Sequence, residues 1–289
     1  MVFEIFFALL SYIGWGTGDI FGTIATRKIG AYSATLWSYI LRLLAFGLYI
    51  PIGLASLSNL TANLLVLNII LGVILLISFI AFNEALRIAN PAIVGTIAAS
   101  FAALVVVLSL IFLGESLSLL QAVAIIVIFG GVILATLNIT AIKTGKAIIN
   151  KGILLAIVAM ICWGIYFTFI KIPVRSIGWF WPNYISFALF PLILLFTNLR
   201  GIKLHKPTFK SALAPLLFAV ILTGIAEFSF NFAISKGSTA VIAPIAGSYP
   251  TLFVALSSMI FKDPITWQQK LGVITTLIGI VLLSVFSVM

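Results

Sequence analysis

The chain is a succession of long apolar runs separated by short polar stretches. Each run has about 20 residues, the length that an α-helix needs to cross a bilayer. Charges, glycines, prolines and polar clusters divide the sequence into ten such runs. The pattern therefore predicts an all-α integral membrane protein with ten transmembrane helices. The predicted spans are residues 3–24, 32–54, 64–86, 92–113, 118–140, 152–171, 179–199, 211–234, 239–261 and 266–287.

The connections between the predicted spans are short. The longest are residues 141–151 and 200–210, and neither is long enough to fold on its own. The chain begins Met-Val-Phe-Glu, without a basic stretch or a cleavage site. We therefore expect the first apolar run to be a permanent helix rather than a signal peptide.

Composition supports a membrane protein and excludes several other classes. Hydrophobic residues make up 63% of the chain and charged residues 8%, against about 45–50% and about 25% in soluble domains. The net charge of +10 is spread over isolated cations and small groups, so we expect no nucleic-acid partner. The single cysteine, Cys162, and single histidine, His205, exclude a disulfide framework and most metal sites. We expect no metal, no cofactor and no enzymatic activity.

The distribution of lysine and arginine predicts an orientation. With ten spans, twelve of these residues fall on one side of the membrane and three on the other. Loops rich in lysine and arginine stay in the cytoplasm, so we predict a multi-pass protein of the cytoplasmic membrane with both termini outside. The twelve are Arg27, Lys28, Arg87, Lys143, Lys146, Lys151, Arg200, Lys203, Lys206, Lys210, Lys262 and Lys270; the three are Lys171, Arg175 and Lys236.

The two halves of the chain repeat each other. An offset of 148 residues aligns them without gaps, and rare residue types coincide. Each copy contains five spans, an odd number, so the second copy must enter the membrane from the opposite side. We predict inverted repeats at residues 1–140 and 152–289, joined by a basic loop at 141–151. The coinciding pairs include Trp15 and Trp163, Gly30 and Gly178, Asn83 and Asn231, Ser100 and Ser248, Glu115 and Asp263, and Gly131 and Gly279.

Short motifs in both halves resemble a known family. The first pair is Trp15-Gly16 and Trp163-Gly164, and the second is Ala85-Leu86 and Ala233-Ile234. The third runs from Gly114-Glu115-Ser116-Leu117 through Gln121 to Gly130-Gly131, and its second copy runs from Lys262-Asp263 through Gln269 to Gly279. They resemble the ten-helix members of the drug/metabolite transporter superfamily, which are built from two EamA-type five-helix domains.

The resemblance implies transport of amino acids, nucleotide sugars, other metabolites or drugs, by proton antiport, exchange or facilitated diffusion, with export the commonest role. It also implies cytoplasmic termini. This is opposite to the orientation that the charges predict, and we follow the charges of this sequence.

Few ionisable residues remain inside the predicted spans, and such groups normally face a bundle interior or a water-filled path. Asp19 follows Trp15 by four residues, so both project from one face of the first helix. We interpret Asp19 as a carboxylate that lines a central cavity; the alternative is a structural pair with a basic group. Gly14, Gly18 and Gly22 share this spacing and indicate close helix packing.

Arg42 and Glu227 lie deeper in their predicted spans. Arg42 either attracts an anionic or zwitterionic substrate or forms a buried pair with Asp19. Glu227 has no cation within one helical turn of it in the sequence, and apolar surroundings favour the neutral form of a carboxyl group. We therefore interpret Glu227 as a group that loads and releases a proton, with a permanently protonated carboxyl as the alternative. Asp19 is the second candidate for proton coupling.

The ninth predicted helix contains two prolines, and proline inside a helix frees a carbonyl and bends the axis. Broken helices beside a cavity are typical binding elements in transporters; simple kinking to fit the bundle is the alternative. The candidate substrate-binding residues are Trp15, Asp19, Arg42, Trp163, Asn231, Ser248 and Tyr249, the candidate proton-coupling residues are Glu227 and Asp19, and the candidate helix breaks are Pro244 and Pro250.

The repeat and these residues predict a secondary transporter of small organic solutes that works by alternating access. Its expected partners are a small-molecule substrate and the lipid bilayer; the oligomeric state is left open. A pore or scramblase would need a continuous polar track, and a membrane-embedded enzyme would need a cluster of catalytic or cofactor ligands. Glu115 and Asp263, which precede the last helix of each half, are expected to complement the N-terminus of that helix.

Overall fold

The structure is a computed structural model that describes residues 2–89, 91–136, 151–208, 211–260 and 266–288. The regular elements in these ranges are all helical. Nine helical stretches within them are long and apolar enough to cross a membrane, and the shorter apolar helix Ile97–Phe112 belongs to the fourth predicted span. Most of the predicted loop 141–151, the end of the predicted fifth span and Asp263 lie outside the described residues.

We number the helical segments after the ten predicted spans. Where a segment is interrupted, its parts are a and b. The segments are α1 (Val2–Ile29), α2 (Ala31–Phe46, continued by short turns to Asn59), α3 (Ala62–Ile88), α4a (Pro91–Ala99), α4b (Phe101–Phe112), α5 (Leu119–Thr136), α6a (Lys151–Phe169), α6b (Lys171–Ile177), α7a (Trp181–Phe187), α7b (Pro191–Leu199), α8 (Leu213–Lys236), α9a (Thr239–Gly247), α9b (Pro250–Ile260) and α10 (Trp267–Val288).

Helix packing has the symmetry that a duplicated chain predicts. In the first half α1 packs along α8, and in the second half the equivalent helix α6a packs along α3. The contact of α2 with α8 is likewise matched by that of α7a with α3, while α5 packs on its own counterpart α10. Exchanging the two halves therefore reproduces these main contacts. Because each half has five spans, the two halves run in opposite directions through the bundle.

Two backbone features recur at equivalent positions of the two halves. Gly30 and Gly178, which precede α2 and α7a, have φ angles of 83° and 82°. Only glycine adopts this region without steric cost, so the same sharp turn is built twice. The fourth and ninth segments are both interrupted at equivalent serines, Ser100 and Ser248.

The interruption of the ninth segment does not depend on its prolines alone. Pro244 lies inside α9a and Pro250 begins α9b, with Ser248 and Tyr249 between the two helices. The equivalent break at Ser100 lies in a segment that has no proline beside it. The ninth segment is thus interrupted between Gly247 and Pro250, and the fourth segment is interrupted at the equivalent place.

Small residues bring the helices of each pair close together. A Cβ atom added to Gly14 would lie 2.6 Å from the carbonyl oxygen of Leu222, and one added to Gly18 would lie 2.5 Å from a methyl group of Thr223. The predicted glycine stripe of α1 is therefore a packing face against α8. In the same way, a Cβ on Gly131 of α5 would meet the backbone nitrogen of Thr276 at 2.5 Å.

The two ends of the bundle differ in charge. The basic end carries Arg27, Lys28, Arg87 and Arg200, and Lys28 there donates a hydrogen bond of 2.6 Å to the carbonyl oxygen of Ser211. The opposite end is formed by the turns α2–α3, α4–α5, α6–α7 and α8–α9. At that end, Asn59 donates to the carbonyl oxygen of Ser176 at 3.2 Å.

Candidate functional site

A cavity of about 80 Å³ lies between the two halves, enough for several water molecules. It extends from the middle of the bundle, at Trp15 and Phe167, toward the basic end, at Thr26 and Leu86. Both sequence repeats contribute to its wall. Six of the residues singled out from the sequence line it, namely Trp15, Asp19, Arg42, Trp163, Glu227 and Tyr249.

Two other predicted binding residues lie outside this cavity wall. Asn231 donates a hydrogen bond of 3.1 Å to the backbone carbonyl of Trp179, and Ser248 donates one of 2.7 Å to the carbonyl of Ile245 in its own helix. Both side chains are buried. The structure therefore gives Asn231 and Ser248 structural contacts, and it places neither beside Asp19.

The structure corrects the expectation that Glu227 has no cationic partner. Arg42 Nη2 lies 3.2 Å from Glu227 Oε1 and donates a hydrogen bond of 2.6 Å to Thr223 Oγ1. The two charged side chains are 4% and 5% exposed. They are 185 residues apart in sequence, so a search within one helical turn does not find the pair. The alternative pairing of Arg42 with Asp19 is also replaced by this one.

Aromatic rings enclose the guanidinium group of Arg42. Its central carbon lies 5.3 Å from the ring centre of Phe79 and 5.0 Å from that of Phe187. Both distances are within the range of cation–π attraction. Arg42 is thus compensated by a carboxylate and covered by two phenyl rings.

Asp19 has a different environment. Its side chain is half-buried and lines the cavity, with the Tyr249 hydroxyl as its hydrogen-bonding neighbour. It interacts electrostatically with Arg42 and Glu227. Among the residues that the structure describes, however, no cation forms an ion pair with it. Asp19 is therefore the carboxylate of this cavity that a solute or proton reaches most directly.

Three polar residues of the cavity have aromatic counterparts in the repeat. At an offset of 148 residues, Asp19 corresponds to Phe167, Glu227 to Phe79 and Tyr249 to Phe101. All three phenylalanines line the same cavity. Trp15 and Trp163 are the matched pair. Both are buried, and their rings contact these phenylalanines edge-on. The fold is duplicated, but the chemistry of its cavity is one-sided.

Sequence reasoning missed several polar groups in the cavity, among them Ser38 and Tyr39. Tyr39 lies one helical turn before Arg42 and is completely buried, and its hydroxyl has no hydrogen-bond partner among the residues that the structure describes. Its i, i+3 spacing from Arg42 is the signal that could have identified it. Three further buried atoms of cavity residues are unpartnered, namely Arg42 Nε, Glu227 Oε2 and Trp163 Nε1.

A second buried ion pair closes the opposite end of the bundle. Lys171 Nζ donates to Glu115 Oε1 at 2.5 Å and to the carbonyl oxygen of Gly237 at 2.8 Å. Glu115 also accepts hydrogen bonds from Ser238 Oγ at 2.7 Å and from the backbone nitrogen of Ala240 at 2.7 Å. We call Glu115, Lys171 and the turn Gly237–Ala240 the ionic latch. It joins the first repeat to two segments of the second.

The latch corrects the role that the sequence predicted for Glu115. Its carboxylate binds the backbone N–H groups of Thr239 and Ala240, at the start of α9a, and not the start of α5. Burial raises the pKa of Glu115, but the hydrogen bonds from Lys171 and from α9a outweigh burial, and the pKa is lowered overall. The carboxylate is therefore ionised at neutral pH.

Comparison with known proteins gives consistent results for both halves. The model of the EamA-like transporter family matches residues 2–137 and again residues 150–285. The uncharacterized protein MJ1333.1 of Methanocaldococcus jannaschii is 26% identical over 139 residues, which are 47% of this chain and 98% of that protein. That relative is thus about as long as one repeat. A solved crystal structure matches with a TM-score of 0.72 at 17% identity, over 98% of each chain, which shows the same fold.

Proposed function

Because the chain belongs to the EamA-like transporter family, we propose that it is a secondary carrier that moves small organic solutes by alternating access. The proposed solutes are small metabolites, and export is the favoured direction. The proposed location is the cytoplasmic membrane, with the basic end in the cytoplasm and both termini outside.

The observation that carries this proposal is the position of the cavity relative to the ionic latch. The cavity lies between the halves and extends toward the basic end, while the latch joins the same halves at the other end. In carriers built from inverted repeats, the halves exchange conformations and open the site to each side in turn. The described structure then corresponds to the state directed toward the basic end.

The repeat specifies which residues should line the cavity in the other state. Ser38 of α2 lines the cavity now and is partly exposed. Its counterpart at the same offset is Ser186 of α7a, which is fully buried and donates a hydrogen bond to the carbonyl of Pro182. If the halves exchange conformations, Ser186 becomes a cavity residue when Ser38 is buried.

This exchange is testable with two single-cysteine proteins. After replacement of the native Cys162 by serine, Ser38→Cys and Ser186→Cys are labelled in proteoliposomes of known orientation with a membrane-impermeant maleimide. We expect Ser38→Cys to react only from the basic side and Ser186→Cys only from the opposite side. The measurement is the labelled fraction against time, with reagent on one side.

The matched design gives the test two contrary outcomes. Labelling of both cysteines from both sides would indicate a pore instead of a carrier. Labelling of Ser186→Cys from neither side would contradict exchange between the halves. The Cys162→Ser protein without an added cysteine gives the background rate.

We further propose that the carrier is proton-coupled and that Asp19 carries the proton. Glu227 is the weaker candidate because Arg42 already compensates its charge. Asp19→Asn should abolish solute-driven proton flux, read with a pH dye trapped in proteoliposomes, while exchange of solute between the two sides continues at saturating solute concentration. Glu84→Gln, which neutralises a carboxylate in an exposed pair with Arg87, is the control and should retain the flux. Proton flux that persists in Asp19→Asn would exclude this role for Asp19.

A further inference from the structure

The three charges in the cavity are not equally available to a bound solute. Arg42 is 3% exposed, is neutralised by Glu227 and lies between two phenyl rings. Asp19 is half-buried and has a hydroxyl group, that of Tyr249, as its neighbour. With all three groups ionised, the cavity carries one net negative charge, and that charge resides on its most accessible carboxylate.

The aromatic lining of the cavity suits a solute that has an apolar body next to its cationic group. Trp15, Trp163, Phe101 and Phe167 line the cavity, and the ring centres of Trp15 and Phe167 lie 5.2 Å apart. Faces of aromatic rings attract ammonium groups, and tryptophan does so most strongly. The same rings also offer apolar area to the remainder of a solute.

We propose that this cavity takes a small organic monocation: an amine with an apolar or aromatic body and without a carboxylate group. The proposal rests on the proposed carrier function and specifies its substrate class. The ammonium group donates to Asp19 and to the unpartnered Glu227 Oε2, and the body lies against the aromatic wall. Trp163 Nε1, also unpartnered, is left to donate to a neutral acceptor on the solute.

The same geometry argues against a zwitterion such as an amino acid. Arg42 is the one cation among the described residues that line the cavity, and Glu227 already neutralises it. The carboxylate of an amino acid would therefore enter the cavity without a free counter-charge. Burying a charge without a partner is costly. Loss of the carboxylate should consequently improve binding, and loss of the amine should abolish it.

Three compounds with the same phenyl ring separate these possibilities. Phenethylamine has the amine alone, phenylalanine has the amine and the carboxylate, and 3-phenylpropanoate has the carboxylate alone. Binding to the purified protein is measured by quenching of tryptophan fluorescence, since Trp15 and Trp163 line the cavity, and checked by the shift in thermal midpoint. We expect phenethylamine to bind at least about tenfold more tightly than phenylalanine, because phenylalanine would bury a carboxylate without a partner, and we expect 3-phenylpropanoate not to bind. Isoamylamine, leucine and 4-methylpentanoate repeat the series with an aliphatic body.

Variants assign the preference to Asp19. Asp19→Asn should weaken phenethylamine binding about 10- to 100-fold, while Asp19→Glu, which keeps the charge, should restore most of it. Glu84→Gln removes a carboxylate outside the cavity and should leave the Kd unchanged. If Asp19→Asn does not fold, the wild-type series still decides the charge class.

Several results would overturn the substrate class. These are equal or tighter binding of the amino acids, binding of the carboxylates alone, or no binding of any of the six compounds. Each can occur while Ser38→Cys and Ser186→Cys still label from opposite sides. In that case the proposed carrier function is retained and the proposed amine substrate class is rejected. The reverse result, tight amine binding with labelling of both cysteines from both sides, would retain the site and reject the carrier.

Discussion

Arg42→Gln is expected to lower the free energy of unfolding by about 3–5 kcal/mol, the cost of removing one partner from a buried ion pair. The substitution leaves Glu227 as a buried carboxylate at 4% exposure, without its 3.2 Å contact. It also removes the cation between the rings of Phe79 and Phe187. The measurement is the unfolding midpoint in detergent together with a denaturing SDS titration.

A double substitution makes this prediction specific to the pair. Arg42→Gln with Glu227→Gln replaces the ion pair by two neutral amides, which removes the uncompensated charge, so it should be more stable than Arg42→Gln alone by about 1–2 kcal/mol. Arg87→Gln breaks an exposed pair with Glu84 and should cost less than about 1 kcal/mol. Equal losses for Arg42→Gln and for the double variant would show that the charges do not compensate each other.

Lys171→Gln is expected to favour the state that is open at the opposite end. The change leaves Glu115 without its cation and removes the hydrogen bond to Gly237, and both contacts belong only to the closed latch. Since the cost of breaking a buried pair is several kcal/mol, Ser186→Cys should label at least about tenfold faster and Ser38→Cys correspondingly more slowly. Glu115→Gln should act in the same direction.

The controls for the latch separate charge from position. Glu84→Gln neutralises one half of an ion pair that lies within a single helix, so it should not change either labelling rate. Because the pKa of Glu115 is lowered in the folded protein, its contribution is complete at neutral pH and is lost only as the pH falls through that lowered value. Labelling rates that change equally in all three variants, or a latch that weakens between pH 8 and pH 6, would contradict this account.

The sequence predicted the helices because apolar length and charge placement are local properties. It also predicted the duplication, because equivalent residues recur in both copies. Gly30 and Gly178 form the same turn, and Ser100 and Ser248 lie at the same helix interruption. The intramembrane ionisable residues Asp19, Arg42 and Glu227 stand out in the sequence because burying a charged group in an apolar bundle is costly, and in the structure all three line one cavity.

The partners of these residues were not predictable from one sequence. Arg42 meets Glu227, and Glu115 meets Lys171, across contacts between the two repeats, and a periodic pattern within one helix carries no information about such contacts. Asn231 was chosen because it shares a helix face with Glu227. The helix nevertheless directs this amide to the carbonyl of Trp179, a residue of the turn between α6b, which packs on α8, and α7a.

The pairing of α1 with α8, and of α6a with α3, has a consequence for movement. Gly14 and Gly18 bring α1 into close contact with α8, and α6a packs along α3, so in the proposed carrier the two moving bodies would each be assembled from both halves of the chain. Asp19 and Glu227 then travel together on the first body, while Trp163 and Phe79 travel on the second. During the proposed transport, the ammonium group of the solute would stay bound to the first body, while its apolar part would move along the second.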